Sequence, residues 1–75
     1  MKKALVTGGA TGIGKAVALY LSDHGYDVTI TYNNTLPDYD GVNKIKCDLS
    51  SVAEIEKLFD NFSSLDLLVN NAGIS

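Results

Sequence analysis

Four residues in, the apolar run Ala4-Leu5-Val6 stops at Thr7-Gly8-Gly9-Ala10-Thr11-Gly12-Ile13-Gly14, and a helical pattern begins at once. An apolar run halted by glycines reads as a strand buried on both faces. The segment behind it carries apolar residues at Ile13, Ala16, Val17, Tyr20 and Leu21. That is the i, i+3, i+4, i+7, i+8 spacing of one helix face. Gly25 stands where a C′ glycine ends a helix. Glycine at such a junction lets the chain bend sharply, lets the helix pack close to the strand, and lets backbone N–H groups approach an anion. The positive end of the helix adds to that last property. A tight turn without ligand and a phosphate-holding turn are both compatible with these residues alone. The spacing, Gly-x-x-x-Gly-x-Gly at Gly8, Gly12 and Gly14, differs from the general Gly-x-Gly-x-x-Gly fingerprint. It is also no P-loop, because no Gly-Lys-Ser/Thr follows.

The rest of the chain alternates. Val28-Thr29-Ile30-Thr31-Tyr32 is β-branched and alternating, a second strand. Asn33 to Gly41 has loop chemistry, and Lys44-Ile45-Lys46-Cys47 is a weaker third strand. Ser51 with Glu54 forms a capping box, opening a helix whose apolar face is Val52, Ile55, Leu58, Phe59 and Phe62. Leu67-Leu68-Val69 is a fourth strand, expected to be buried on both faces. Strands alternating with helices give an α/β fold of parallel β-α-β units with right-handed crossovers. An apolar last strand so near Ser75 would leave an aggregation-prone edge, so the chain is expected to be the N-terminal part of a longer domain.

Composition excludes several partners. Lys+Arg number 6 against 9 Asp+Glu, a net charge of −3, which argues against a nucleic-acid backbone as ligand. The single cysteine excludes an intramolecular disulfide and a CxxC metal pattern. The apolar stretch Ala16 to Leu21 is too short to span a bilayer, and Ala4-Leu5-Val6 behind Lys2 and Lys3 is too short for a signal peptide. A cytoplasmic setting without nucleic-acid or membrane partners is expected.

The residues after the fourth strand, Asn70-Asn71-Ala72-Gly73, occupy the same kind of place as the glycine turn, outside the carboxyl end of a strand. Together with Thr7-Gly8-x-x-x-Gly12-Ile13-Gly14, and with Asp48-Leu49 between them, they make the whole chain resemble the short-chain dehydrogenase/reductase family, above all its 3-oxoacyl-acyl-carrier-protein-reductase-like members. The resemblance implies the N-terminal half of a Rossmann doubly wound parallel sheet, an NAD(P) cofactor, and hydride transfer between nicotinamide and a small carbonyl or alcohol substrate. It also implies a homo-oligomeric parent protein. By position, Gly8 and Thr11, Gly12, Ile13 and Gly14 would line the pyrophosphate and adenosine ribose. Asp48 would accept from the adenine amino group, with Leu49 beside the ring. Asn71, Ala72 and Gly73 would hold the nicotinamide-side ribose and brace the sheet.

Three departures matter. NAD-specific members end the second strand on a carboxylate that bonds the ribose 2′-OH; here that place falls at Tyr32 and Asn33, which favours NADP over NAD. The basic residue common in NADP users is also missing, since Thr11 stands at its turn position. The family's helix between strands two and three has too few residues here and is expected to be a short loop holding Pro37 and Gly41. Finally, the family's Tyr-x-x-x-Lys acid/base pair is missing, since His24, Ile30, Leu36 and Asn43 follow the four tyrosines at that spacing. The chain is expected to be inactive alone. A dinucleotide-binding module without chemistry, or a fragment with a structural role, are the alternatives. Of the remaining residues, His24 is expected to complement the helix dipole, Cys47 to pack as a small hydrophobe, and Tyr20, Phe59 and Phe62 to be core. Lys15, Asp38 and Asp40 are expected to be solvated.

Overall fold

The computed structural model describes residues 1–71. Six elements follow in order: β1 (Lys2–Thr7), α1 (Gly12–Asp23), β2 (Tyr26–Tyr32), β3 (Asn43–Lys46), α2 (Val52–Asp60) and β4 (Leu67–Asn70). All strand pairs are parallel and the sheet order is β3-β2-β1-β4. The chain builds outward from β1 to β3, then crosses back to place β4 on the other side of β1. This is half of a doubly wound sheet, and the reversal of strand order between β1 and β4 is its switch point.

The alternation of β1 distributes its side chains to two layers. Ala4 and Val6 join Val28, Ile30 and, from α1, Ala18 and Leu21. Leu5 faces the other way, onto Cys47 and Leu58 of α2. Cys47 is buried and reduced, the small hydrophobe expected of it, and burial pushes its thiol pKa up.

Helix α1 buries only part of the expected stripe: Leu21 is buried and Val17 packs against the core, but Ile13, Ala16 and Tyr20 do not. Gly14, Ala18 and Leu21 point inward, whereas Ile13 and Tyr20 are 68% and 61% exposed, and Ala16 is exposed too. The helix is apolar on most of its circumference, so periodicity could not choose. Small residues decided it, because a Cβ on Gly14 would lie 2.2 Å from the Gly8 carbonyl oxygen. Tyr20 is not core but stacks on His24, ring centroids 4.1 Å apart. Gly25 at φ +86° turns the chain out of the helix.

The second layer is shallower than expected. Leu58 is buried, but Val52, Phe59 and Leu68 are exposed, and β4 is an edge strand rather than one covered on both faces. The β2–β3 connection contains no helix, as its length required. Asp38 and Asp40 in it are exposed, as expected, while Tyr39 and Val42 pack against the core. Asp38 pairs with Lys15 at 3.1 Å, Asp40 lies 3.6 Å from Lys44, and Pro37 is buried.

Candidate functional site

The glycine turn and Asn71 meet at the carboxyl ends of β1 and β4. The glycine turn leaves β1 after Thr7, and Asn71 leaves β4 after Asn70. The Asn71 backbone N–H donates to Thr7 Oγ1 at 3.0 Å, and its Nδ2 donates to the Gly8 carbonyl at 3.1 Å. The bend and the asparagine corner therefore touch, with Asn71 bracing the turn. Ala72 and Gly73 lie outside the described residues.

Strand β2 holds the near end of the turn. Gly8 N–H donates to Thr31 Oγ1 and Gly9 N–H to the Thr31 carbonyl, each at 3.0 Å. A Cβ on Gly9 would sit 2.6 Å from Ile30. These two amides are thus engaged within the protein. The amides that can meet a ligand are those farther along, at the start of α1, where the first helical N–H groups have no partner four residues back. Thr11 is the N-cap, extended, with no side-chain cap bond, and no acidic residue occupies the first turn. Gly12, at φ +61°, faces open space where a side chain would project. The bend is open on its outer side and positive by dipole.

Beside it lies a cleft of about 260 Å³ lined by Gly8, Thr31, Tyr32, Asn33, Cys47, Asp48, Leu49 and Ser50. Five of the residues singled out in the sequence, Gly8, Tyr32, Asn33, Asp48 and Leu49, come together here. Thr11, Gly12, Ile13 and Gly14 border the neighbouring helix start instead. Asp48 Oδ1 accepts from the backbone N–H of Ser50 at 2.9 Å and from its hydroxyl at 2.6 Å. Those bonds hold the carboxyl below its ordinary pKa, so an ionised acceptor sits at the rim. The end of β2 itself presents no carboxylate to the cleft.

Sequence reasoning missed Thr31 and Ser50. Thr31 fixes the turn and Ser50 fixes Asp48, and both line the cleft. A threonine hydroxyl one residue before the carboxyl end of β2 was the available signal for Thr31. For Ser50, the Asp-x-Ser pattern of a local Asx-type bond was available.

The family model described as short chain dehydrogenase matches residues 2–75. The 3-oxoacyl-acyl-carrier-protein reductase of Staphylococcus aureus is 38% identical over 89 aligned residues, covering 99% of this chain and 36% of that protein. A solved short chain dehydrogenase/reductase family protein superposes with a TM-score of 0.87 at 34% identity, over 97% of this chain and 34% of the other. The aldohexose dehydrogenase of Thermoplasma acidophilum gives 0.81 at 32% identity, over 95% and 29%. The chain spans about a third of the length of the curated relatives it matches.

Proposed function

The chain belongs to the short-chain dehydrogenase family, and on that premise we propose that it is the dinucleotide-binding part of a nicotinamide-dependent oxidoreductase. The observation that carries the reading is the open, uncapped start of α1 beside a cleft at the carboxyl ends of β1, β2 and β3. In this reading the first-turn amides from Gly12 to Gly14 receive the pyrophosphate. Tyr32, Asn33, Asp48 and Leu49 receive the adenosine half, with Asp48 accepting from the adenine amino group. Asn71, Ala72 and Gly73 receive the ribose on the nicotinamide side. The dinucleotide supplies hydride chemistry when bound; the residues of this chain bind it, orient it and hold the turn in shape.

NADP is the proposed cofactor, ahead of NAD. Tyr32 and Asn33 end β2 without a carboxylate to repel a 2′-phosphate. The whole protein is proposed to act on a small carbonyl or alcohol substrate, as a homo-oligomer in the cytoplasm. No helix among the described residues is long and apolar enough to cross a membrane. The proton donor for that chemistry is not among this chain's tyrosines, none of which is followed by Lys at the required spacing, so the 75 residues alone should show no turnover. The same observation supports a second reading, a binding module without chemistry. Titration with NADPH and NADH, followed by nicotinamide fluorescence, tests the proposal. NADPH is expected to bind more tightly. Tighter NADH binding overturns the NADP preference, and binding of neither overturns the whole reading.

A further inference from the structure

The β2–β3 connection is tied to the glycine turn and α1 at three points. Tyr39 donates its hydroxyl to the Gly9 carbonyl at 2.6 Å. Asp38 pairs with Lys15 at 3.1 Å, and the Lys15 ammonium lies 5.3 Å from the centre of the Tyr39 ring. Farther along, Ser22 donates to the Gly41 carbonyl at 3.2 Å. The connection thus runs as a strap along α1, with Tyr39 and Val42 packed against the core on that side.

The first of these ties falls on a particular peptide. Gly9 gives its N–H to Thr31 and its carbonyl to Tyr39. Both of its polar backbone groups are held, one by β2 and one by the strap. The following peptide is planar and trans, so its N–H points opposite to its C=O. Anchoring the Gly9 carbonyl on the strap therefore turns the Ala10 N–H away from the strap and sets the direction in which the chain enters Thr11 and the helix start. Burial, and then the Asp38 charge, push the Tyr39 phenol up, which keeps its proton in place at neutral pH.

We propose that Tyr39 is a positioning residue for the pyrophosphate turn, the device by which a shortened crossover holds the Gly9–Thr11 backbone in its binding shape. The inference rests on the dinucleotide reading above. The alignment with the Staphylococcus aureus reductase extends over more positions than this chain has residues, so that relative carries segments absent here. A strap made from few residues needs a long side chain to reach the turn, and Tyr39 has that reach.

The test is Tyr39→Phe in the 75-residue chain, which keeps the ring and removes one hydroxyl. ADP-ribose, which bears the pyrophosphate, and adenosine, which does not, are titrated by NMR, and amide exchange is followed at residues 10–12. ADP-ribose affinity is expected to fall about five- to tenfold, the effect of one neutral hydrogen bond. Adenosine affinity should stay within about twofold, and exchange at the turn should quicken. Unchanged ADP-ribose affinity overturns the proposal with the dinucleotide reading intact. So does an equal loss for both ligands with a lowered melting temperature, which marks a general structural role. If the unsubstituted chain takes up neither ligand, the dinucleotide reading fails and this proposal with it.

Discussion

The two helices start alike and end up as opposites. Each has an extended N-cap residue bearing a hydroxyl, Thr11 for α1 and Ser51 for α2. Ser51 accepts from the Glu54 N–H at 3.3 Å, and Glu54 reaches back to the backbone N–H of Asp48 at 3.0 Å. The start of α2 is thereby closed by its own side chains, with a carboxylate in its first turn. The start of α1 has neither device. A helix end left without internal partners is a cost to stability that an anionic ligand can offset. The contrast shows that one sequence can close a helix start with side chains at one place and leave another bare, as the proposed binding role requires, and the difference lies in a handful of residues.

Substitutions can break this contrast, and the largest effect is expected at Gly14. Gly14→Ala places a methyl against the Gly8 carbonyl oxygen and 2.7 Å from Asn71 Nδ2. Overpacking of this kind costs about 1–3 kcal/mol, seen as a lower urea midpoint, with dinucleotide binding lost because α1 must move away from the turn. Thr11→Asp should make α1 resemble α2. A carboxylate at the N-cap stabilises the helix by up to about 1 kcal/mol, while NADPH affinity should drop by about tenfold or more; melting temperature and titration would move in opposite directions. Ser51→Ala is the mirror experiment. It should cost about 1 kcal/mol and leave NADPH affinity unchanged.

The smallest effect concerns acid. Lys15, by hydrogen bond and then by charge, lowers the pKa of Asp38, and Ser50 lowers that of Asp48. A carboxyl with a depressed folded-state pKa contributes stability that is complete above its ordinary value of 3.8 and is lost as pH falls through the folded value. Asp38 is exposed and Asp48 half-buried, so the melting temperature should be flat from neutral pH down to that value and decline modestly below it. Asp38→Asn and Asp48→Asn should each flatten the decline slightly.

Much of the fold was legible because the signals were local. The glycine-stopped run gave β1, the β-branched stretch gave β2, and Ser51 with Glu54 gave the start of α2. The missing helix followed from the length of 33–42 and from Pro37 and Gly41. What escaped depended on tertiary choice. In α1, Ile13, Ala16 and Tyr20 were as apolar as the residues that were buried, and the decision fell to the size of Gly14 and Ala18, which periodicity does not weigh. In the site, Asp48 and Gly12 were placed by motif, but the hold of Thr31 and Tyr39 on the turn crosses between elements. No spacing along one element reveals it.

The central position of β1 has a consequence for how the chain is made. Ala4 pairs with Val28 on one side and with Leu67 on the other. A ribosome adds about 5–20 residues per second, so the first neighbour emerges within seconds, whereas the second trails it by several seconds more. Through that interval the nascent sheet carries an unpaired flank on the strand that ends up central, and a chaperone that shields such a flank would be most useful before residue 67 leaves the exit tunnel.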